Sequence, residues 1–495
     1  MKRREFCGMS LMGGAAAALP LGRLVAGAND TAQPIVTDLR AVKLSGAETT
    51  IERAALQDLR ASLRGSLIVS GESGYDAARR VWNGMIDKHP ALIARCADVV
   101  DVVRAVTFAR ERELLLAVRG GGHSFPGYST CDGGMVIDLS GMTRVTVDAR
   151  NQTAHVSGGA WVAHVDGPAQ QQGLATTLGQ ISNTGVGGLT LGGGFGWLSR
   201  RFGLACDNLL GAELVTADGK LRRVSAKDEP DLFWAIRGGG GNFGVATSFD
   251  YRLHPLNPTV LAGHVSYPTA QIKDAIGFYA DFLAKAPREL SVDLSLGPGA
   301  DDQPGASIHV LYTGNHATGE KLLAALQRFG KPVKDTIAAQ TYLTVQSQFD
   351  GPPIDPTMNY IKGGFVRAVS PELIDVLVRD YRTDKRNSAY FQNANGAVAD
   401  TAPTATAFTH RNAMANLMLG GSWEDPAFNE QGRAEVRANW AKVERFTDGY
   451  YVNLNDADAK GADRNYGTNF DRLSALKKRY DPMNLFRLNS NINVA

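Results

Sequence analysis

Net charge of either sign is nearly missing from this chain. Its 52 lysines and arginines meet 50 aspartates and glutamates, leaving +2. That removes the electrostatic case for a nucleic-acid partner or an acidic membrane surface. Cysteine is scarce as well: Cys7, Cys96, Cys131 and Cys206 are the whole set. None sits in Cys-x-x-Cys or Cys/His metal spacing, so no metal site is indicated. Nothing demands a disulfide, and small buried apolar cysteines are the expectation. Internal repeats and low-complexity tracts are absent too. Glycine is in excess, with 55 of 495 residues against a usual share of about 7%. The glycines cluster at 120–134, 179–196 and 238–244, so they read as ligand-cradling loops rather than a linker. With 44% apolar residues, the chain reads as globular, long enough for two or more domains.

Residues 1–28 read as a segment apart from the fold. Lys2-Arg3-Arg4-Glu5-Phe6 is a paired-arginine start, Gly8 to Val25 is apolar and rich in alanine and glycine, and Ala26-Gly27-Ala28 offers a small-x-small cleavage pattern. This looks like a twin-arginine export signal, with an ordinary secretory signal or a short anchor as the alternative. It implies a periplasmic or secreted protein. The apolar run is short for a membrane span and Arg23 interrupts it.

An apolar strand, Leu114–Val118, runs into Arg119-Gly120-Gly121-Gly122-His123-Ser124. Glycines let the backbone turn tightly and present its N–H groups to an anion, and Ser124 adds a hydroxyl donor. A diphosphate is the natural guest, with His123 at the edge of the cradle. A second cluster packs eight glycines into residues 179–196, which reads as a long loop, since glycine disfavours both helix and strand. In the third, Gly239, Gly241 and Gly244 satisfy G-x-G-x-x-G. A helix precedes it and a strand follows, the reverse of the order a Rossmann site requires. A nicotinamide site is therefore rejected.

Elsewhere the pattern predicts a coil from residue 29 leading to a helix near 51–63. It also predicts a helix over 97–112 with Val99, Val100, Val103, Val106 and Phe108 recurring, and a hairpin around Asp148–Asn151. Past His254-Pro255 a strand–helix alternation predicts a second domain, 257 to about 452, with an antiparallel sheet covered by helices.

These three glycine blocks, in this order, resemble the vanillyl-alcohol-oxidase-type (PCMH-type) FAD-binding domain. Asn465-Tyr466-Gly467 and Tyr480-Asp481-Pro482-Met483-Asn484-Leu485 resemble the berberine-bridge C-terminal segment. The chain thus resembles berberine bridge enzyme-like FAD-linked oxidases, a family that includes hydroxynicotine oxidases. The resemblance implies an α+β fold: an FAD domain of two α/β subdomains (76–256), a substrate domain (257–452), and a tail (453–495) returning to the FAD domain. It implies FAD held by Arg119, Gly120, Gly121, Gly122, His123 and Ser124 of the first block. From the second come Gly179, Asn183, Gly185, Gly188, Gly193 and Gly194, with Asp207 beyond; then Asn242, Gly244, Val245 and finally Asn453. His123 stands where members carry a covalent flavin. Ile181 stands where many carry a second tether through cysteine, so one bond is expected. Thr184 occupies a position often apolar in members and linked to oxygen access, which leaves the electron acceptor open. Tyr451 is expected as base or substrate-orienting hydroxyl, Asp400 as a substrate carboxylate, and His410-Arg411 as structural. The implied activity is oxidation of a CH–OH or CH–NH group of a small molecule, passing electrons to O₂ or to another carrier. A non-catalytic flavin-binding protein is the third alternative.

Overall fold

The computed structural model describes residues 35–298, 303–381, 386–454 and 462–493. The export segment expected at 1–28 lies outside the described residues. Two small sheets are built by the first half of the described chain. The first runs Ser66–Val69, Leu92–Arg95, Met135–Asp138, Leu116–Arg119 in space. Its last three strands are parallel, and its antiparallel edge strand comes from upstream of residue 76. Parallel neighbours need a crossover, and helix Val99–Glu111 supplies one. Asp98 caps that helix by accepting the N–H groups of Val100 and Asp101, and Val102, Ala105, Val106 and Ala109 face the core. Val100, expected on the apolar face, is 39% exposed; the buried stripe lies one residue further round.

The second sheet is antiparallel throughout, in the order Leu221–Ser225, Leu209–Val215, Val245–Arg252, Thr153–Ser157, Val145–Asp148. Helix Pro230–Ala235 precedes the third glycine cluster and strand Val245–Arg252 follows it, the order that excludes a Rossmann turn. Two expectations need correction. The stretch before residue 51 holds a hairpin, Leu39–Val42 with Glu48–Ile51. The second glycine cluster contains a helix, Val186–Leu191. Its glycines cost helix propensity, about 1 kcal/mol each, but Val186 and Leu191 are buried in the core, and packing overrides propensity.

The third sheet is large and antiparallel: Lys334–Asp335, Thr259–Pro268, Pro304–Tyr312, Leu290–Pro298, Asn387–Asn393, Ala415–Trp423, Met358–Val366. Strand alternation gives it two faces. Phe391, Leu417 and Leu419 join one core with residues of helices Ile272–Lys285, Pro371–Tyr381 and Asn429–Val443. Tyr390 and Met418 point to the other face, towards Phe195, Leu204 and Cys206 of the first half of the chain. The tail helix Phe470–Tyr480 returns to the third glycine cluster, where the fully buried Lys477 ammonium donates to the Asn242 carbonyl at 2.9 Å and to Asp481 at 2.7 Å. No helix among the described residues is long and apolar enough to cross a membrane.

Candidate active site

A cavity of about 430 Å³ lies between the large sheet and the two small ones. Gly120, Gly121, Gly122, His123 and Ser124 line it from the carboxyl end of a parallel strand, the position where open α/β sheets bind ligands. Gly179, Gly185, Gly188 and Gly244 line it from the other glycine clusters, and Tyr451 and Asn453 close it. The two main loops touch backbone to backbone: a Cβ on Gly121 would stand 2.3 Å from the Gly185 nitrogen, and one on Gly185 equally close to the Gly121 nitrogen.

Open space lies over other glycines. A Cβ added to Gly188 meets nothing within 4 Å, and one on Gly120 meets only the Gly158 carbonyl at 3.5 Å. On the same cavity, Ser129 Oγ and Asn489 Oδ1 are buried without a partner. Buried polar atoms normally find partners, so the cradle's shape and its orphaned atoms fit a phosphate-bearing, hydroxyl-rich group such as FAD.

His123 stacks on Trp82, with ring centroids 5.3 Å apart and 14° between planes. Burial pushes its pKa down to about 4, against an opposing backbone hydrogen bond with Asn183. The imidazole is therefore neutral at neutral pH, with a lone pair to offer. The adjacent Asn83 acts as a clasp. Its amide nitrogen donates to the carbonyls of Phe125 (2.9 Å) and Asn359 (2.8 Å), and its oxygen accepts the Asn359 N–H at 3.0 Å. One side chain thus ties the His123 loop to the large sheet.

Tyr451 is buried against Phe195 and Phe365. Its oxygen accepts from the Gly194 N–H at 3.1 Å and from the Asn453 amide at 2.9 Å. Burial, the larger influence, pushes its pKa up to about 12. As a base it is weak; as a donor aimed at a substrate atom it is well placed.

Several expected cofactor residues do not line the cavity. The Arg119 guanidinium turns back to the Ala78 carbonyl, and Asn183 donates to the Gly351 carbonyl at 2.8 Å. Gly193 and Gly194 hold left-handed backbone that brings the loop to Phe408 and Ala205. Asp207 makes a two-point ion pair with the fully buried Arg411, at 2.6 and 2.8 Å. Asn242 bonds Tyr466 and the backbone of Ser490 and Ile492, so it anchors the tail. Val245 is a buried ladder partner of Val215. Asp400 is the clearest correction: it is exposed, paired with Arg288 on the outer surface, and absent from the cavity.

The structure also brings forward groups the sequence reading did not select. Tyr390 and Gln392 line the cavity from the large sheet, and Gln180 lines it from the second glycine cluster. Asp293, fully buried, stands behind Tyr390 and accepts its hydroxyl proton at 2.7 Å. The available signal was the alternation Ser291, Asp293, Ser295 along strand Leu290–Pro298, which reads as a solvent face until another domain covers it. Cys96, Cys131 and Cys206 are free and buried.

The FAD binding domain family matches residues 90–225, and the berberine and berberine like family matches residues 450–493. An FAD-linked oxidoreductase of Dictyostelium discoideum is 32% identical over 441 residues, spanning 87% of this chain and 95% of the relative. The (R)-6-hydroxynicotine oxidase of Paenarthrobacter nicotinovorans is 31% identical over 452 residues, with 87% and 97% covered. The crystal structure of 6-hydroxy-D-nicotine oxidase from Arthrobacter nicotinovorans superposes with a TM-score of 0.81 at 30% identity, covering 88% of this chain and 99% of that one. A carbohydrate oxidase from Microdochium nivale shares the fold, with a TM-score of 0.80 at 21% identity and 89% and 100% covered. With glycine cradle, tail and large antiparallel sheet all in place, the chain belongs to the berberine bridge enzyme-like family and is an FAD-linked oxidoreductase.

Proposed function

We propose that the protein oxidises the CH–OH or CH–NH group of a small uncharged or cationic molecule, with O₂ as electron acceptor. The observation that carries the substrate class is the lining. Among the described residues no lysine, arginine or glutamate borders the cavity, and Asp355 is its one carboxylate. Apart from the glycine cradle, whose backbone N–H groups suit the FAD diphosphate, an anionic substrate would find no cation there, and burying an unpaired charge is costly. The chemistry FAD supplies when bound is acceptance of a hydride at the flavin ring. Around it, Trp82, Phe125, Tyr360 and Met418 give the substrate space an apolar, largely aromatic wall, and Tyr451 offers a hydroxyl to orient the substrate's oxygen or nitrogen.

His123 is the residue for a single covalent tether: its imidazole is neutral and held by the Trp82 stack, and Ile181, not a cysteine, lines the same cavity. Residues 1–28 support export by the twin-arginine route to the periplasm or beyond.

Substrate addition to the holoenzyme under air should bleach the flavin and release peroxide. Bleaching without peroxide assigns the electrons to another carrier. Acid precipitation should leave a yellow pellet; a yellow supernatant overturns the tether. Tyr451→Phe should keep the flavin and lose roughly 10²-fold in turnover; unchanged turnover removes Tyr451 from the site.

A further inference from the structure

Oxidising an alcohol or amine releases a proton as well as a hydride, and the proton needs an acceptor on the substrate side. Four tyrosines line the cavity, Tyr128, Tyr360, Tyr390 and Tyr451, and the hydrogen bonds of the last two run in opposite senses. The Tyr451 oxygen already accepts two donors, and the described residues offer its own proton no acceptor. The Tyr390 hydroxyl donates its hydrogen bond to Asp293 Oδ2 at 2.7 Å, which leaves its oxygen lone pairs for another donor. A phenol can take a proton only if its own has somewhere to go, and among these two only Tyr390 meets that condition; burial and the neighbouring Asp293 raise the Tyr390 phenol well above its ordinary range too, so it acts as a relay and not as an ionised base.

Asp293 is built for the purpose. It has no solvent exposure. Its Oδ2 accepts from Tyr390 and from Gln180 Nε2 at 2.6 Å, and its Oδ1 accepts from the Asn393 N–H at 2.8 Å and from the Asn393 amide. Gln392 donates to Gln180 at 2.8 Å, which closes the network over the substrate side. Burial, the largest influence, raises the Asp293 carboxyl above the ordinary range. The groups around it are Arg200, held to Asn395 and the Ala286 carbonyl, the buried Tyr279, and His309, its ladder partner on the neighbouring strand. Burial keeps His309 neutral.

We propose that Tyr390, backed by Asp293 as a positioning and proton-holding residue, takes the O–H or N–H proton of the substrate, while Tyr451 orients the reacting atom. The proposal rests on the oxidative reading above. Bound FAD would supply the acceptor for the hydride that leaves as the substrate C–H bond breaks. The O–H or N–H proton passes to Tyr390 Oη, the proton of Tyr390 passes to Asp293 Oδ2, and the substrate is left as carbonyl or imine.

The test uses holoenzyme and a panel of uncharged alcohols, sugars and amines. With a substrate that bleaches the wild type anaerobically, the bleaching rate is followed against pH. Tyr390→Phe should slow it roughly 10²–10⁴-fold and abolish the rising limb of the profile. Asp293→Asn should keep the flavin spectrum and move that limb to higher pH. A Tyr390→Phe rate within threefold of wild type with the limb intact, or loss of the limb in Tyr451→Phe alone, overturns the relay and leaves the oxidative reading standing. A wild type that nothing in the panel bleaches overturns both. A second readout is the thermal midpoint of the holoenzyme against pH. A carboxyl raised on folding loses stability as pH climbs above its ordinary value, roughly from pH 4 upwards. Asp293→Asn should flatten that fall; an unchanged slope overturns Asp293 as a proton holder.

Discussion

The two walls of the cavity are built from different materials. On the cofactor side the lining is mostly backbone, with Gly120, Gly121, Gly185 and Gly188 in contact with the space or with each other. On the substrate side it is side chain: Tyr390, Gln392 and Met418 from successive strands of one sheet. A backbone wall recognises through shape and N–H groups, so it leaves little choice of residue. A side-chain wall can be rewritten one alternate strand position at a time without disturbing the sheet. The first kind of wall suits a fixed cofactor, the second a substrate that differs from one family member to the next.

The strongest challenge to that contrast is Gly121→Val. Its Cβ would overlap the Gly185 backbone, which cannot move aside cheaply, so the purified protein should carry no flavin absorbance. A yellow variant would show that backbone contact does not set the cradle. Next comes the seam between the walls. Arg411→Met strands the Asp207 carboxylate in a dry site, at a cost of about 3–5 kcal/mol and a thermal midpoint lower by on the order of 10 °C. A shift of a degree or two would mean that water reaches the pair.

Behind the cofactor wall, Asp166 is buried with neither oxygen partnered, and burial pushes its pKa up to about 8. Its folded pKa is raised, so its penalty is absent below about pH 4 and grows as pH rises towards 8. Asp166→Asn should raise the midpoint several degrees at pH 8 and hardly move it at pH 4. The smallest effect belongs to Asp400→Asn, which removes a surface pair worth about 0–1 kcal/mol. Turnover should stay within twofold; a larger loss would return Asp400 to the substrate wall.

The same contrast explains what could be read in the sequence. Glycine clusters announce a backbone wall directly, because the residue type is itself the structural device. The reversed element order around Gly239–Gly244 excluded the nicotinamide alternative for the same reason. Helix Val186–Leu191 stayed hidden because propensity is local and the burial of Val186 is not. Tyr390 and Asp293 were illegible on other grounds. Strand alternation says which residues share a face, but not whether that face meets water or another domain. Asp400 misled because a carboxylate in the expected block carries no mark of the Arg288 that draws it outward. Asp207 and Asn242, expected at the cofactor, have side chains that brace the loops instead of lining the cavity.

The Asn83 clasp has a consequence for the order of assembly. Its contact with Asn359 closes a loop of 276 residues, and long loops close late, since their entropy is lost before any contact repays it. The His123 loop therefore completes its hydrogen bonds only after the large sheet has formed and docked. Until then Gly120–Ser124 lacks its tie to the large sheet.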